Sequence, residues 1–136
     1  MLSGIGRAGE TMWQQILIVG VGGAIGAVAR FGVHSYTQRS LEAFPFGTLI
    51  VNVVGCLILG AMMLLVEERP DFSPTVRLFL GVGLLGSFTT FSTFGVETID
   101  LLREKEHLLA LLSVAGNLGV GLAAVLLGRG LARAIV

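Results

Sequence analysis

The segment GVGLLGSFTTFSTFGVE, residues 81–97, decides how the rest of the chain is read. It opens as an apolar helix, and its glycine and serine predict a break at Leu85–Gly86–Ser87. Residues 89–94 are all hydroxyl-bearing or aromatic: Thr89, Thr90, Phe91, Ser92, Thr93 and Phe94. In water such a stretch would be an ordinary loop. In a chain this apolar it falls at membrane depth, where irregular backbone is tolerated only against protein or a water-filled cavity. A broken helix there turns free carbonyl and N–H groups toward whatever the cavity holds. The first functional expectation is therefore an ion or small-solute pathway.

The surrounding composition supports that setting. The 136 residues are 54% hydrophobic and 13% charged, with a mean hydropathy of +0.88. An ordinary soluble domain carries about 25% charged residues; here the charges cluster between apolar runs. A net charge of zero leaves no footprint for nucleic acid. Cys56, the single cysteine, allows no internal disulfide and reads as a small packed side chain. His34 and His107 stand near segment ends, far apart, which speaks for interfacial or solvated roles and against a metal pair.

Outward from the deciding segment the chain divides into four apolar runs. The N-terminal stretch, Met1 to Thr11, is small and polar and is expected to fray, and Trp13 reads as an interfacial anchor. The spans are expected at about 13–34, 45–66, 75–99 and 107–128, each near the ~20 residues a crossing helix needs. Glu67–Glu68–Arg69–Pro70–Asp71 makes a polar turn, and Pro74 suits the first turn of a third helix. The expectation is one all-α membrane domain over 1–136, with no room for a soluble one.

Two local patterns point elsewhere and fail. Glycines at 20, 22 and 26 follow an apolar run, but they miss the dinucleotide G-x-G-x-x-G spacing by one residue and no strand–helix alternation follows. Small residues four apart, Gly22–Gly26 and Gly23–Ala27, instead suit close helix packing, as do Ala115, Gly119 and Ala123. Arg7 before an apolar run and Ala27–Val28–Ala29 imitate a signal peptide, yet Glu10 weakens the basic region and three spans would remain.

Orientation is informative because the usual bias is missing. Four spans put Arg7, Arg69, Arg77, Arg129 and Arg133 on one side, and Arg30, Arg39, Arg103 and Lys105 on the other. Five against four is almost no positive-inside signal. The expectation is dual topology, with oppositely oriented copies pairing about a two-fold axis in the membrane plane.

Several polar residues need a reason at membrane depth. Asn52, inside FGTLIVNVVGCLILG, is either an interhelical hydrogen bond or a donor to a passing anion, since its amide carries two N–H groups. Asn117 poses the same choice, with Ser113 one turn earlier on its face. Phe91 and Phe94 are three apart and share a face with Glu97. Their positive ring edges, aimed into a narrow polar pore, would favour an anion. Thr90, Ser92 and Thr93 offer hydroxyl donors beside them. Glu97 and Asp100 stand near the helix exit, Glu97 being a candidate vestibule carboxylate. Arg30 either snorkels to the headgroups or lends positive potential at a pore mouth.

Three stretches together carry a family resemblance: GAIGAVARF (23–31), FGTLIVNVVG (46–55) and GLLGSFTTFSTF (83–94). They resemble the Fluc family of microbial fluoride channels, also called CrcB proteins, over nearly the whole chain. One departure is Ser87, where the family often has a second glycine before the aromatic–Thr–Thr. The resemblance implies an antiparallel dual-topology homodimer with two fluoride pores in the cell's inner (plasma) membrane, exporting fluoride passively from the cytoplasm and so relieving its toxicity. It implies that Asn52, Phe91, Phe94, Ser92 and Thr93 line the pore. It also implies a central sodium ion, structural and not transported, held by main-chain oxygens of Gly86 and Thr89, a donor type that hard cations prefer.

Two other function classes compete. A small dual-topology exporter of cationic drugs also has four spans, but it needs a mid-membrane carboxylate to couple protons, and Glu67, Glu68, Glu97 and Asp100 all sit near span ends. A purely structural assembly protein leaves the Thr/Phe/Ser cluster unexplained. No nucleophile–base pair or metal cluster suggests an enzyme.

Overall fold

The computed structural model describes residues 11–40 and 43–135, without the side chains of 38–40. The expectations for the first ten residues, including Arg7, and for the Arg39 side chain lie outside the described residues. Among the described residues all the regular secondary structure is helical.

Helix α1 is Met12–Ser40 and α2 is Phe46–Glu68. Helix α3 covers 74–88, beginning with Pro74–Arg77, passing through a wide π-helical stretch at Leu78–Leu85, and closing with Gly86–Phe88. Helix α4 is Phe91–Arg103, and α5 is His107–Arg133, with a π-helical turn at Gly116–Val120. Four stretches, Met12–Thr37, Phe46–Glu68, Pro74–Arg103 and His107–Arg133, are long and apolar enough to cross a membrane. They match the four expected runs to within one residue at their starts and extend two to five residues beyond their ends.

Local chemistry sets the boundaries. Ser73 caps α3, its hydroxyl accepting the Val76 N–H, and Pro74 occupies the first turn where a missing donor costs nothing. The turn between α4 and α5 passes through Lys105 at φ 65°, a left-handed residue that reverses the chain in three positions.

The helices pack as two parallel pairs. Helix α1 lies on α3, α2 lies on the second half of α5, and α4 lies against the first half of α5. Small residues permit this closeness. A Cβ on Gly26 would strike the Leu84 carbonyl, and one on Gly128 would strike the Leu57 carbonyl. The expected Gly22–Gly26 contact is thus present. In α5 the row facing its neighbours is Gly121, Ala124, Gly128 and Ala132, while Ala115, Gly119 and Ala123 face outward. A glycine- and alanine-rich helix carries small residues on more than one face, and spacing alone did not select the buried row.

At the far end of the α2–α5 pair, Arg129 donates both guanidinium branches to Glu67, at 3.2 and 2.6 Å, and Arg133 lies 4.0 Å from Glu68. Trp13 is largely exposed at the start of α1, as an interfacial anchor requires.

Candidate functional site

The helical backbone is interrupted at Thr89 and Thr90, both extended, and not at Leu85–Gly86–Ser87 as the glycine suggested. Gly86 itself is helical, at φ −62° and ψ −31°. The cause is a competitor on another helix. Asn52 Oδ1 accepts the Thr90 N–H at 2.8 Å, and Asn52 Nδ2 donates to the Thr90 carbonyl at 3.1 Å. One amide side chain therefore grips both backbone polar groups of a single residue, as a neighbouring strand would. Thr90 then caps α4: its hydroxyl accepts the Thr93 N–H at 3.2 Å and donates to Thr93 Oγ1 at 2.9 Å.

These diversions free two carbonyls. In a continuous helix the Thr90 N–H would bond the Gly86 oxygen and the Thr93 N–H would bond the Thr89 oxygen. Here the first donor goes to Asn52 and the second to the Thr90 hydroxyl. Both carbonyls belong to residues on one groove of about 280 Å³, which also takes in Asn52, Cys56, Phe91, Phe94 and Asn117. The sequence had left Cys56 as simple packing; it is half-buried and lines this groove.

Phe91 and Phe94 meet edge to face, ring centres 5.4 Å apart and planes at 61°. Phe94 is 7% exposed, whereas Phe91 is 77% exposed and stands at the open side. Ser92 is exposed and Thr93 half-buried beside them.

The Asn52 amide has no N–H left over. Its second proton goes to Asn117 Oδ1 at 2.7 Å, and Asn117 Nδ2 in turn donates to the Ser113 carbonyl at 3.0 Å. Of the two sequence readings for Asn52, the interhelical hydrogen bond is the one this geometry shows. Ser113 is fully buried and turned toward α4, where its hydroxyl lies 3.3 Å from Thr98 Oγ1. Sequence reasoning passed over Thr98; the available signal was a hydroxyl four residues after Phe94, one turn along the same face.

Glu97 lines a second and larger cavity, of about 630 Å³, with His34, Thr37, Phe44, Asp100 and Glu104. Its Oε2 is buried and so is Thr48 Oγ1. The two groups are close enough to interact, yet neither meets a partner at full hydrogen-bond geometry. Arg30 is half-buried on α1 and lines neither the groove nor this cavity. No cluster of three His, Cys, Asp or Glu side chains that could hold a metal occurs among the described residues.

Comparison with known proteins adds an independent line. A family model described as CrcB-like protein, Camphor Resistance (CrcB), matches residues 17–129. The chain is 52% identical over 108 residues to a protein of Idiomarina loihiensis named Fluoride-specific ion channel FluC, covering 79% of this chain and 83% of that protein. A protein of the same name from Chloroflexus aurantiacus is 45% identical over 119 residues, covering 87% and 94%. One from Rhizobium etli is 43% identical over 123 residues, covering 90% and 98%.

Proposed function

The chain belongs to the CrcB-like family, and on that premise we propose that it is a fluoride channel, and no enzyme, working as an antiparallel dual-topology homodimer. The observation that carries the assembly is the open groove. It holds released carbonyls, an amide pair and a ring that is 77% exposed, all at membrane depth. Lipid cannot satisfy such groups, and irregular backbone at that depth needs protein or water against it. A second copy laid over the groove supplies the missing wall, and the near-even charge count allows it to insert the other way up.

Within that wall fluoride exchanges water for protein donors. Thr93 Oγ1 receives the Thr90 proton, which leaves its own proton to donate; the Ser92 proton faces Thr90 Oγ1 across a long 3.4 Å contact and has to turn from it to reach the ion. The edges of Phe91 and Phe94 supply the positive rim of each ring. Asn52 acts as a strut that holds Thr90 extended and keeps the aromatic pair at the mouth of the groove. Larger halides fit a narrow passage poorly and form weaker hydrogen bonds, which favours fluoride. No carboxylate lines the groove, so proton-coupled cation export has no coupling group there. Transport is passive, and in the plasma membrane it lets fluoride leave the cytoplasm down its gradient.

A structural sodium ion belongs to the same proposal. The residues fit it: the Gly86 and Thr89 carbonyls have lost their helical donors and border one groove, and hard cations take oxygen ligands. Bound there, the ion would supply fixed positive charge that ties the two copies together at their axis.

The test is fluoride efflux from liposomes holding the purified protein, followed with a fluoride-selective electrode. Efflux without ATP or a proton gradient, and with negligible chloride flux, is the expected result. Liposomes that keep their fluoride, or release chloride equally, would overturn the reading.

A further inference from the structure

The only described hydroxyl pair joining α4 to α5 is Thr98 with Ser113, and its proton order can be worked out. Thr98 Oγ1 donates to the Phe94 carbonyl at 2.8 Å. A carbonyl only accepts, so the single Thr98 proton is spent there. The 3.3 Å contact between Thr98 Oγ1 and Ser113 Oγ must therefore take its proton from Ser113. The direction is fixed: Ser113 donates to Thr98, and Thr98 donates to Phe94.

That chain continues on the other side. The Ser113 carbonyl accepts from Asn117, whose oxygen accepts from Asn52, which grips Thr90. A connected run of hydrogen bonds thus starts at the helix interruption, crosses to α5, and returns to α4 one turn beyond Phe94. We propose that Thr98 is a positioning residue for conduction: by accepting from Ser113 and donating to the Phe94 carbonyl, it sets how α4 presents the Phe91–Phe94 pair to the groove. Thr98 lines neither the groove nor the larger cavity, so it acts only through these neighbours. Ser113, at 0% exposure, likewise serves as a buried anchor and not as a donor to the ion.

The role rests on the fluoride-channel reading, and a four-way comparison separates the two. Parent, Thr98→Val, Ser113→Ala and the double variant are reconstituted, and fluoride efflux is counted per assembled channel. Thr98→Val keeps the side-chain shape but neither donates nor accepts. Losing one net hydrogen bond's worth of positioning predicts roughly a three- to tenfold drop in efflux. Thr98→Ser, which keeps the hydroxyl, should recover at least half of the parent rate. In the Ser113→Ala background, Thr98→Val should cause a clearly smaller further loss, because the shared contact is already gone. If Thr98→Val does not assemble, Thr98→Ala against Thr98→Ser makes the same comparison at a smaller side chain. A parent that holds its fluoride overturns the channel reading and this role with it. A conducting parent whose Thr98→Val variant matches it, or loses the same factor with and without Ser113, overturns only the role given to Thr98.

Discussion

At the scale of single residues, the two amides and the aromatic pair separate structure from conduction. Asn52 uses its oxygen and both N–H groups within the chain. Asn52→Asp keeps the acceptor for the Thr90 N–H but turns two donating contacts, at 3.1 and 2.7 Å, into oxygen against oxygen. Leaving buried partners unsatisfied costs about 1–3 kcal/mol each. The variant should therefore melt earlier in detergent as well as conduct less. Phe94→Ile differs: it keeps bulk and apolar character, and it gives up an edge-to-face contact worth about 0.5–1.5 kcal/mol. It should still assemble while fluoride efflux falls sharply. Matching melting curves for Asn52→Asp and parent would contradict the strut. Parent-like efflux from Phe94→Ile would remove the ring edges from the pathway.

At the scale of helices, the glycines divide by what a side chain would meet. A Cβ at Gly26 meets the backbone of Leu84 and Phe88, which cannot swing aside. Gly26→Val should cost several kcal/mol, beyond the about 1–3 kcal/mol usual for overpacking, and should fail to yield folded protein. A Cβ at Gly86 meets only the Gly81 carbonyl, at an ordinary 3.6 Å. The single chain has room for that atom and leaves Gly86 exposed, so a folded Gly86→Val protein that loses activity points to crowding from outside the chain, where the groove opens. Size-exclusion profiles of the two variants, read beside their efflux, make the distinction.

The same scale shows what was legible in the sequence. The spans were, because twenty apolar residues bounded by charge have few other fates. The start of α3 was, because Pro74 acts within one turn. The site of the interruption was not. Gly86 is permissive, and permission was read as instruction; the helix runs through it and yields only where Asn52, 38 residues earlier in sequence, takes the Thr90 N–H. That outcome belongs to the fold and not to any local window. Asn52 and Asn117 were each legible as costly polar groups needing partners, but that they would partner each other emerged only when α2 and α5 lay side by side.

At the scale of the whole molecule, the question is which way up it sits. The Lys and Arg residues divide five to four between the two sides. Arg129 is bound through both branches to Glu67, and Arg133 lies near Glu68. Each surface pair is worth little in stability, about 0–1 kcal/mol. Orientation, however, is decided by small differences in the Lys and Arg count of short loops. A compartment-sensitive reporter fused to the C-terminus should therefore give signal on both sides of the membrane. Adding two Lys at the exposed turn 104–106 makes the count five to six and should move the reporter toward one side. If activity requires opposed copies, efflux should fall as the minority orientation disappears, since each lost minority copy leaves a majority copy unmatched. Adding the two Lys to the 69–73 turn instead makes it seven to four and should bias the reporter the opposite way, with the same loss. Co-expressing the two oppositely biased variants should then restore conduction that neither shows alone, a result that expression level or local damage cannot imitate. Signal confined to one side in the parent, or full efflux from a strongly biased variant, would rule out assembly from opposed copies.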